Sequence, residues 1–399
     1  MIRMKPALVL ASVAAASVIA LSADRAVRAD GGPIIIGMDM AFSGWFQPID
    51  DSTEKGIELA VDDINAAGGV LGRKLKTERY DMKSQPPLGA DGAIDLISRG
   101  ASVILVPSDF DFGGPGAFVA QSKGVVTFAG ASDPKFGVSG IGNMAFSVST
   151  PSRVQGAMDA EWAYDKKGYK TAYVLLDNTI NVTKSACAEF TKRWKTIAGD
   201  ASLLGQDTFL NSDPSIAAQI TRLLALPKKP DVVYLCSYVP GGASAIRQLR
   251  AAGVNEPILS AEPLDGDYWL GMVPDLSNFY VTSMGAFFGG DPDKAIAGFF
   301  ERFAKKYGKP ADVSYGIRGY SEVEAFARAV TRAKSTEGSK VVAELEKFNN
   351  EPLTIGPTTF TPKVHMGGAA RPMTFLEVSN GKYHVVDKYA IKVQPDIQY

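Results

Sequence analysis

The chain of 399 residues has only two histidines and two cysteines, and its 42 basic residues are matched by 43 acidic ones. Each shortage removes a class of function. His365 and His384 both lie near the carboxyl terminus, and neither has a cysteine, carboxylate or second histidine at metal-ligand spacing. A Ser-His-acid triad would need one of them to reach loops far away in sequence. Asp109 and Asp111, two residues apart on one loop, cannot flank a sugar from opposite sides as glycosidase carboxylates must. The sequence therefore predicts no enzyme, no metal and no cofactor. With no basic excess and no basic stripe interleaved with aromatics, it also lacks a nucleic-acid footprint. There is no short repeat, no low-complexity segment and no Pro/Ser linker.

Long apolar runs are absent beyond the amino terminus, so no later segment reads as a membrane span. The opening "MIRMKPALVLASVAAASVIALSADRAVRAD" places Arg3 and Lys5 before a short alanine-rich apolar run, then small residues at Val27 and Ala29. That is the pattern of a secretory signal peptide cleaved after Ala29; cleavage after Ala23 fits less well because Leu21 would stand three residues upstream. No cysteine follows the run, which argues against a lipid anchor. Removing residues 1–29 takes away Arg3, Lys5, Arg25, Arg28 and Asp24, leaving 38 basic against 42 acidic residues, a net charge of −4. The mature chain is expected to be soluble, monomeric and outside the cytoplasm. There an oxidising environment permits a bridge between Cys187 and Cys236, but Cys236 lies in the apolar run "DVVYLCSY", and the reading favours buried free thiols over the bridge.

What the chain does have is alternation. Strand-like runs ("PIIIGMD", "KLKTERYD", "SVILVP", "GVVTFAG") alternate with helical periodicity, and the pattern restarts near residue 150 with a helix at 152–167 and a strand at 171–177. It continues with helices at 184–196 and 243–252 and a strand at 231–237. This predicts an α/β fold of two tightly joined lobes with parallel-sheet cores. In "GIELAVDDINAAGGVLGRKL" the pair Gly68–Gly69 follows a helix and precedes a strand. A phosphate-binding loop needs the reverse order, so these glycines read as a helix stop and turn. Ligands of such sheets bind at the carboxyl ends of the strands, which here carry "SDFDFGGP", "AGASDP", "NTINVTKS", "YVPGG" and "AEPLDGDYW".

The stretch "GMDMAFSGWF" followed by "KGIELAVDDINAAGGVLGRKL", together with the closing "IGPTTFTPKVHMGGAARPMTFLEVSNGKYHVVDKY", resembles the leucine/isoleucine/valine-binding type of periplasmic solute-binding protein, the receptor of an ABC importer. The resemblance covers nearly the whole mature chain. It implies two Rossmann-like lobes joined by three crossing segments. The first would take residues 30–149 and 279–358, the second 150–278 and 359–399, with the ligand enclosed between them and a membrane permease as partner. It further implies that Ser108, Ala131 and Ser132 hold a ligand's carboxylate and ammonium, with Tyr238 and Glu262 completing the grip from the second lobe. Asn181 and Tyr315 fall at aromatic wall positions, and Trp45 lies near the cleft. Asp109 and Asp111 stand where the family more often has small hydroxyl residues, which makes the site acidic, while Arg318 and Arg153 offer cations for a ligand carboxylate. An amino acid or related solute is expected; an aromatic acid, amide or amine, or a sensing role, are the alternatives. Plain structural roles are open to the same residues: Ser108 and Ser132 as caps, Asp109 and Asp111 as helix-start acids, Tyr238 and Tyr315 as core-edge aromatics.

Overall fold

A computed structural model describes residues 31–397, so the amino-terminal segment and its cleavage site lie outside the described residues. Five parallel strands form the first sheet: β1 (Ile34–Met40), β2 (Leu75–Asp81), β3 (Ala101–Val106), β4 (Val126–Ala129) and β5 (Ala145–Ser147), in the order β2-β1-β3-β4-β5. Between them run α1 (Gln47–Ala66), α2 (Pro86–Ser98) and α3 (Phe110–Ser122). The central strands are buried on both faces, which is why "SVILV" reads as a continuous apolar run. Gly69 lies at φ +82°, and a Cβ there would stand 2.1 Å from the Arg73 carbonyl. That glycine closes α1 against the following turn.

The second lobe begins with α4 (Ser152–Asp165) and continues through β6 (Ala172–Asp177), α5 (Asn181–Ala198), β7 (Leu203–Phe209), α6 (Ala217–Leu224), β8 (Val232–Cys236), α7 (Gly241–Ala251) and β9 (Ile258–Ser260). Its sheet then adds β10 (Phe279–Ser283), parallel to β9. The chain returns to the first lobe for α8 (Lys294–Tyr307), α9 (Gly316–Ala333), α10 (Gly338–Leu345) and the small hairpin β11 (Glu351–Leu353) and β12 (Gly356–Thr358). It ends in the second lobe with antiparallel β13 (Met373–Ser379) and β14 (Lys382–Tyr389), giving the order β14-β13-β10-β9-β8-β6-β7.

Three sequence expectations shift. Residues 279–283 belong to the second sheet, because β10 pairs with β9 on one side and β13 on the other. Residues 359–365 stay with the first lobe, where Phe360 packs edge-on against Phe146 and His365 stacks on it. The helix after β3 starts at Phe110, within the stretch read from sequence as a loop: Asp109 caps it by accepting from the Asp111 N–H at 2.8 Å, and "DFGGP" becomes helical.

Two crossing segments run side by side. Ser147 N–H donates to the His365 carbonyl, and Gly367 N–H donates back to the Ser147 carbonyl, both at 2.8 Å. Buried Arg371 donates to the Val148 carbonyl (2.9 Å) and to Thr358 Oγ1 (2.8 Å). The third crossing follows β10, where Ala286 N–H donates to Asp291.

Cys187 of α5 and Cys236 of β8 form a disulfide inside the second lobe, with the two residues 49 apart in sequence. Replacing both by alanine releases that loop in the unfolded chain, and the chain-entropy estimate predicts a loss of about 4 kcal/mol. Urea unfolding of the double variant measures it; unchanged stability would mean that the bridge contributes nothing through the unfolded state.

Asp39 on β1 is fully buried, neither carboxylate oxygen has a partner, and burial, followed by repulsion from Asp50, pushes its pKa up to about 8. A folded-state value above the ordinary one means that the native protein holds a proton which the unfolded chain releases. This stabilisation is complete below about pH 4 and is lost as pH rises toward 8. Asp39→Asn should remove a downward slope of roughly 1.4 kcal/mol per pH unit, that of one proton, over this window. Denaturation series of both proteins from pH 5 to 8 test it; parallel curves would show Asp39 to be ionised in the fold.

Candidate functional site

The carboxyl ends of both sheets face each other, and the loops beyond them close over a cavity of about 40 Å³. Ser108 and Asp109 reach it from the end of β3, Tyr238 from the end of β8, Glu262 from the turn after β9, and Tyr315 and Arg318 from the start of α9. Its remaining wall is apolar: Phe46 and Ile49 from the first lobe, Ile180, Val182 and Pro263 from the second.

Glycine brings α9 into place. A Cβ on Gly56 of α1 would lie 1.8 Å from the Gly316 carbonyl, and one on Gly319 would lie 2.2 Å from the Thr53 carbonyl. The two helices thus touch backbone to backbone, which aims Arg318 at the cleft. There its guanidinium packs 3.7 Å from the Tyr315 ring centre. Gly130 sits under it, because a Cβ there would meet Arg318 Nε at 2.8 Å and Ser108 Oγ at 3.0 Å.

Arg318 and Glu262 form an ion pair between the lobes. Nη1 donates to Glu262 Oε1 (2.8 Å) and to the Gly130 carbonyl (2.7 Å), with the two side chains 1% and 4% exposed. Ser132 also donates to Oε1 (2.8 Å), Tyr315 donates to the Glu262 carbonyl (2.8 Å), and the Glu262 N–H donates to Gln155 (3.2 Å). Burial opposes the charge on Arg318, but attraction to Glu262 and neighbouring groups prevails and raises its pKa. Three buried polar atoms here have no hydrogen-bond partner: Ser108 Oγ, Arg318 Nε and Glu262 Oε2. Burial lifts the Asp109 pKa to about 8, with Asp111 adding to the effect.

Of the residues singled out from sequence, Ser108, Asp109, Tyr238, Glu262 and Tyr315 come together around this cavity. Ser132 stands one hydrogen bond behind it, holding Glu262. Ala131 is buried, and its carbonyl accepts from Ser147. Asn181 is turned away: it bonds Asp111 and Lys135 across the lobes, while its neighbours Ile180 and Val182 face inward. Trp45 lies at the rim, 46% exposed, stacked edge-on against Phe46 and Phe112 and 6.0 Å from the Tyr238 ring. Arg153 is outside the cavity, donating to the Asp396 carbonyl beside an outer groove shared with Lys135 and Lys184. The sequence reading missed Gln155 and the apolar wall. It named Arg318 as a cation for a ligand, without seeing that Glu262 already holds it. Among the described residues no cluster of His, Cys, Asp or Glu is arranged to hold a metal ion, and no helix is long and apolar enough to cross a membrane.

The comparison with known proteins agrees with this architecture. The chain is 25% identical over 329 residues to the Leu/Ile/Val-binding protein BraC3 of Rhizobium johnstonii, covering 82% of this chain and 87% of that one. Its fold matches the branched-chain amino acid transporter substrate-binding protein LivJ of Streptococcus pneumoniae, crystallised with isoleucine, with a TM-score of 0.78, 21% identity and 90% and 100% of the two chains covered. It also matches an ABC transporter solute-binding protein of R. palustris in complex with benzoate, with a TM-score of 0.76, 19% identity and 92% and 99% covered. At such identities these structures establish a shared fold. Residues 33–382 match the family described as periplasmic binding protein, and the chain belongs to that family of transport binding proteins, which are not enzymes.

Proposed function

We propose that the chain is the exported receptor of an ABC importer and captures a small polar solute, an amino acid or related compound, by closure of its two lobes. The observation that carries this reading is the trio of unpartnered buried atoms, Ser108 Oγ, Arg318 Nε and Glu262 Oε2, on residues that line one cavity walled elsewhere by apolar side chains. Buried polar groups without partners are rare in folded proteins, and a ligand's head group is what such atoms await. Closure follows from their placement: Ser108 and Arg318 belong to the first lobe and Glu262 to the second, so a solute touching all three binds the closed form best and shifts the population toward it. An aromatic acid is the second reading, supported by the buried cation Arg318 and by the fold neighbour that holds benzoate. On the same reading the mature protein starts at Asp30, docks on a membrane permease and is monomeric.

A thermal-shift screen of amino acids, aromatic acids, amides and amines is expected to yield a stabilising solute. Small-angle scattering should then show a smaller radius of gyration with that solute and unchanged circular dichroism. Tight binding with unaltered dimensions would contradict closure.

Gly130→Ala would place a methyl group against Arg318 and Ser108. Overpacking of about 1–3 kcal/mol should appear as a fall of roughly tenfold or more in affinity for the screened solute. Calorimetric titration measures it, and unchanged affinity would place the solute elsewhere.

A further inference from the structure

A carboxylate outside the cavity spans the lobes. Helix α5 of the second lobe begins after Ile180, whose apolar side chain makes no capping bond, so the N–H groups of its first turn lack the partner that a polar residue there would supply. Asp111 supplies it from the other lobe. One of its oxygens accepts from the Asn181 N–H (2.9 Å) and the other from the Asn181 side-chain amide (2.6 Å). Asp111 also lies in the first turn of α3, which Asp109 already caps. A single negative charge thus serves the positive ends of two helices, one in each lobe.

Two further bonds cross beside it. Lys135 Nζ donates to Asn181 Oδ1 (2.8 Å), and Ser185 Oγ, one turn along α5, donates to Asp133 Oδ2 (2.7 Å). Asp111, Asp133 and Lys135 belong to the first lobe, Asn181 and Ser185 to the second. None of these five side chains lines the cavity, so the contacts form without help from a solute. Yet Ile180 and Val182, on either side of Asn181, are part of the cavity wall, and whatever holds the start of α5 holds that wall too. When the lobes part, the first turn of α5 must exchange Asp111 for water, which is the loss of a helix cap.

We propose that Asp111 is a latch: by capping α5 across the cleft it favours the closed receptor by an amount independent of the solute, so that closed molecules are populated before any solute arrives. Asp111 is then a positioning residue, acting through α5 on the wall at Ile180 and Val182. This rests on the reading of two lobes that close.

Distances between two nitroxide labels, read by pulsed electron spin resonance on the solute-free protein, test it. The labels go on Gln85→Cys and Ser212→Cys, exposed residues beyond β2 and β7, the edge strands remote from the crossings; the native cysteines are bridged and stay unlabelled. The doubly labelled parent should show a closed and an open distance. Asp111→Ala should lower the closed-to-open ratio by roughly fivefold or more, the scale of a lost cap, and Ser185→Ala by roughly twofold or more. Asp111→Asn, which keeps an acceptor and loses the charge, should fall between the parent and Asp111→Ala. Melting followed by circular dichroism gives the stability of each protein, and a merely structural role would lower it while leaving the ratio as it was. An unaltered ratio in Asp111→Ala, or only the open distance in the parent, overturns the latch and leaves closure standing. A single closed distance in every protein overturns both, because the lobes would then never part.

Discussion

The ion pair between Arg318 and Glu262 is the constraint around which the cleft is organised. Burying two opposite charges gains little over burying apolar groups of the same volume, but leaving one of them without the other costs about 3–5 kcal/mol. Everything beside the pair keeps both ends in register. The glycine contacts between α1 and α9 set the depth of the arginine, Tyr315 fixes the plane of its guanidinium, and Ser132 and Gln155 hold the glutamate turn. Because one charge comes from each lobe, the pair also records whether the lobes are together.

Carboxyl groups crowd the same lobe. Burial raises the pKa of Asp50 to about 7 and that of Glu322 to about 8, and both feel the charge of Arg318, which partly offsets the rise. One buried cation thus stands among several reluctant acids. Its geometric partner is the one reached across the cleft, through a hydrogen bond that neither of the other two makes with it.

Much of the fold was legible because parallel strands buried on both faces leave continuous apolar runs and the helices between them keep their period. The runs at 171–177 and 231–237 became β6 and β8 within a residue at each end. Sequence order hid the placement of β10, whose antiparallel partner β13 begins ninety residues beyond its last residue, and the early start of α3, where glycines and Pro115 look like a loop. Polar loops at strand ends pointed to the segments that hold Ser108, Asp109, Tyr238 and Glu262, and the family resemblance picked out the residues within them. Ile49, Ile180 and Val182 gave no such sign, since an apolar side chain facing a cleft is composed like one facing the core. The partnership of Glu262 with Arg318, 56 residues further on and in the other lobe, depends on tertiary approach alone. Whether Cys187 meets Cys236 was likewise a question of distance, which the geometry answers with a bond.

The two crossings that pair through Ser147, His365 and Gly367 have a mechanical consequence. Strands zipped together in this way flex as one ribbon, and any twist of one lobe about the long axis of the molecule would shear their hydrogen bonds. The third crossing leaves β10 at Ser283, which pairs with Thr374 just beyond the end of the second crossing, and Thr374 also donates to Asp291, so it too is tied to the ribbon. In the proposed closure, such an attachment favours rotation about the ribbon, which would widen the mouth of the cleft on the side away from it.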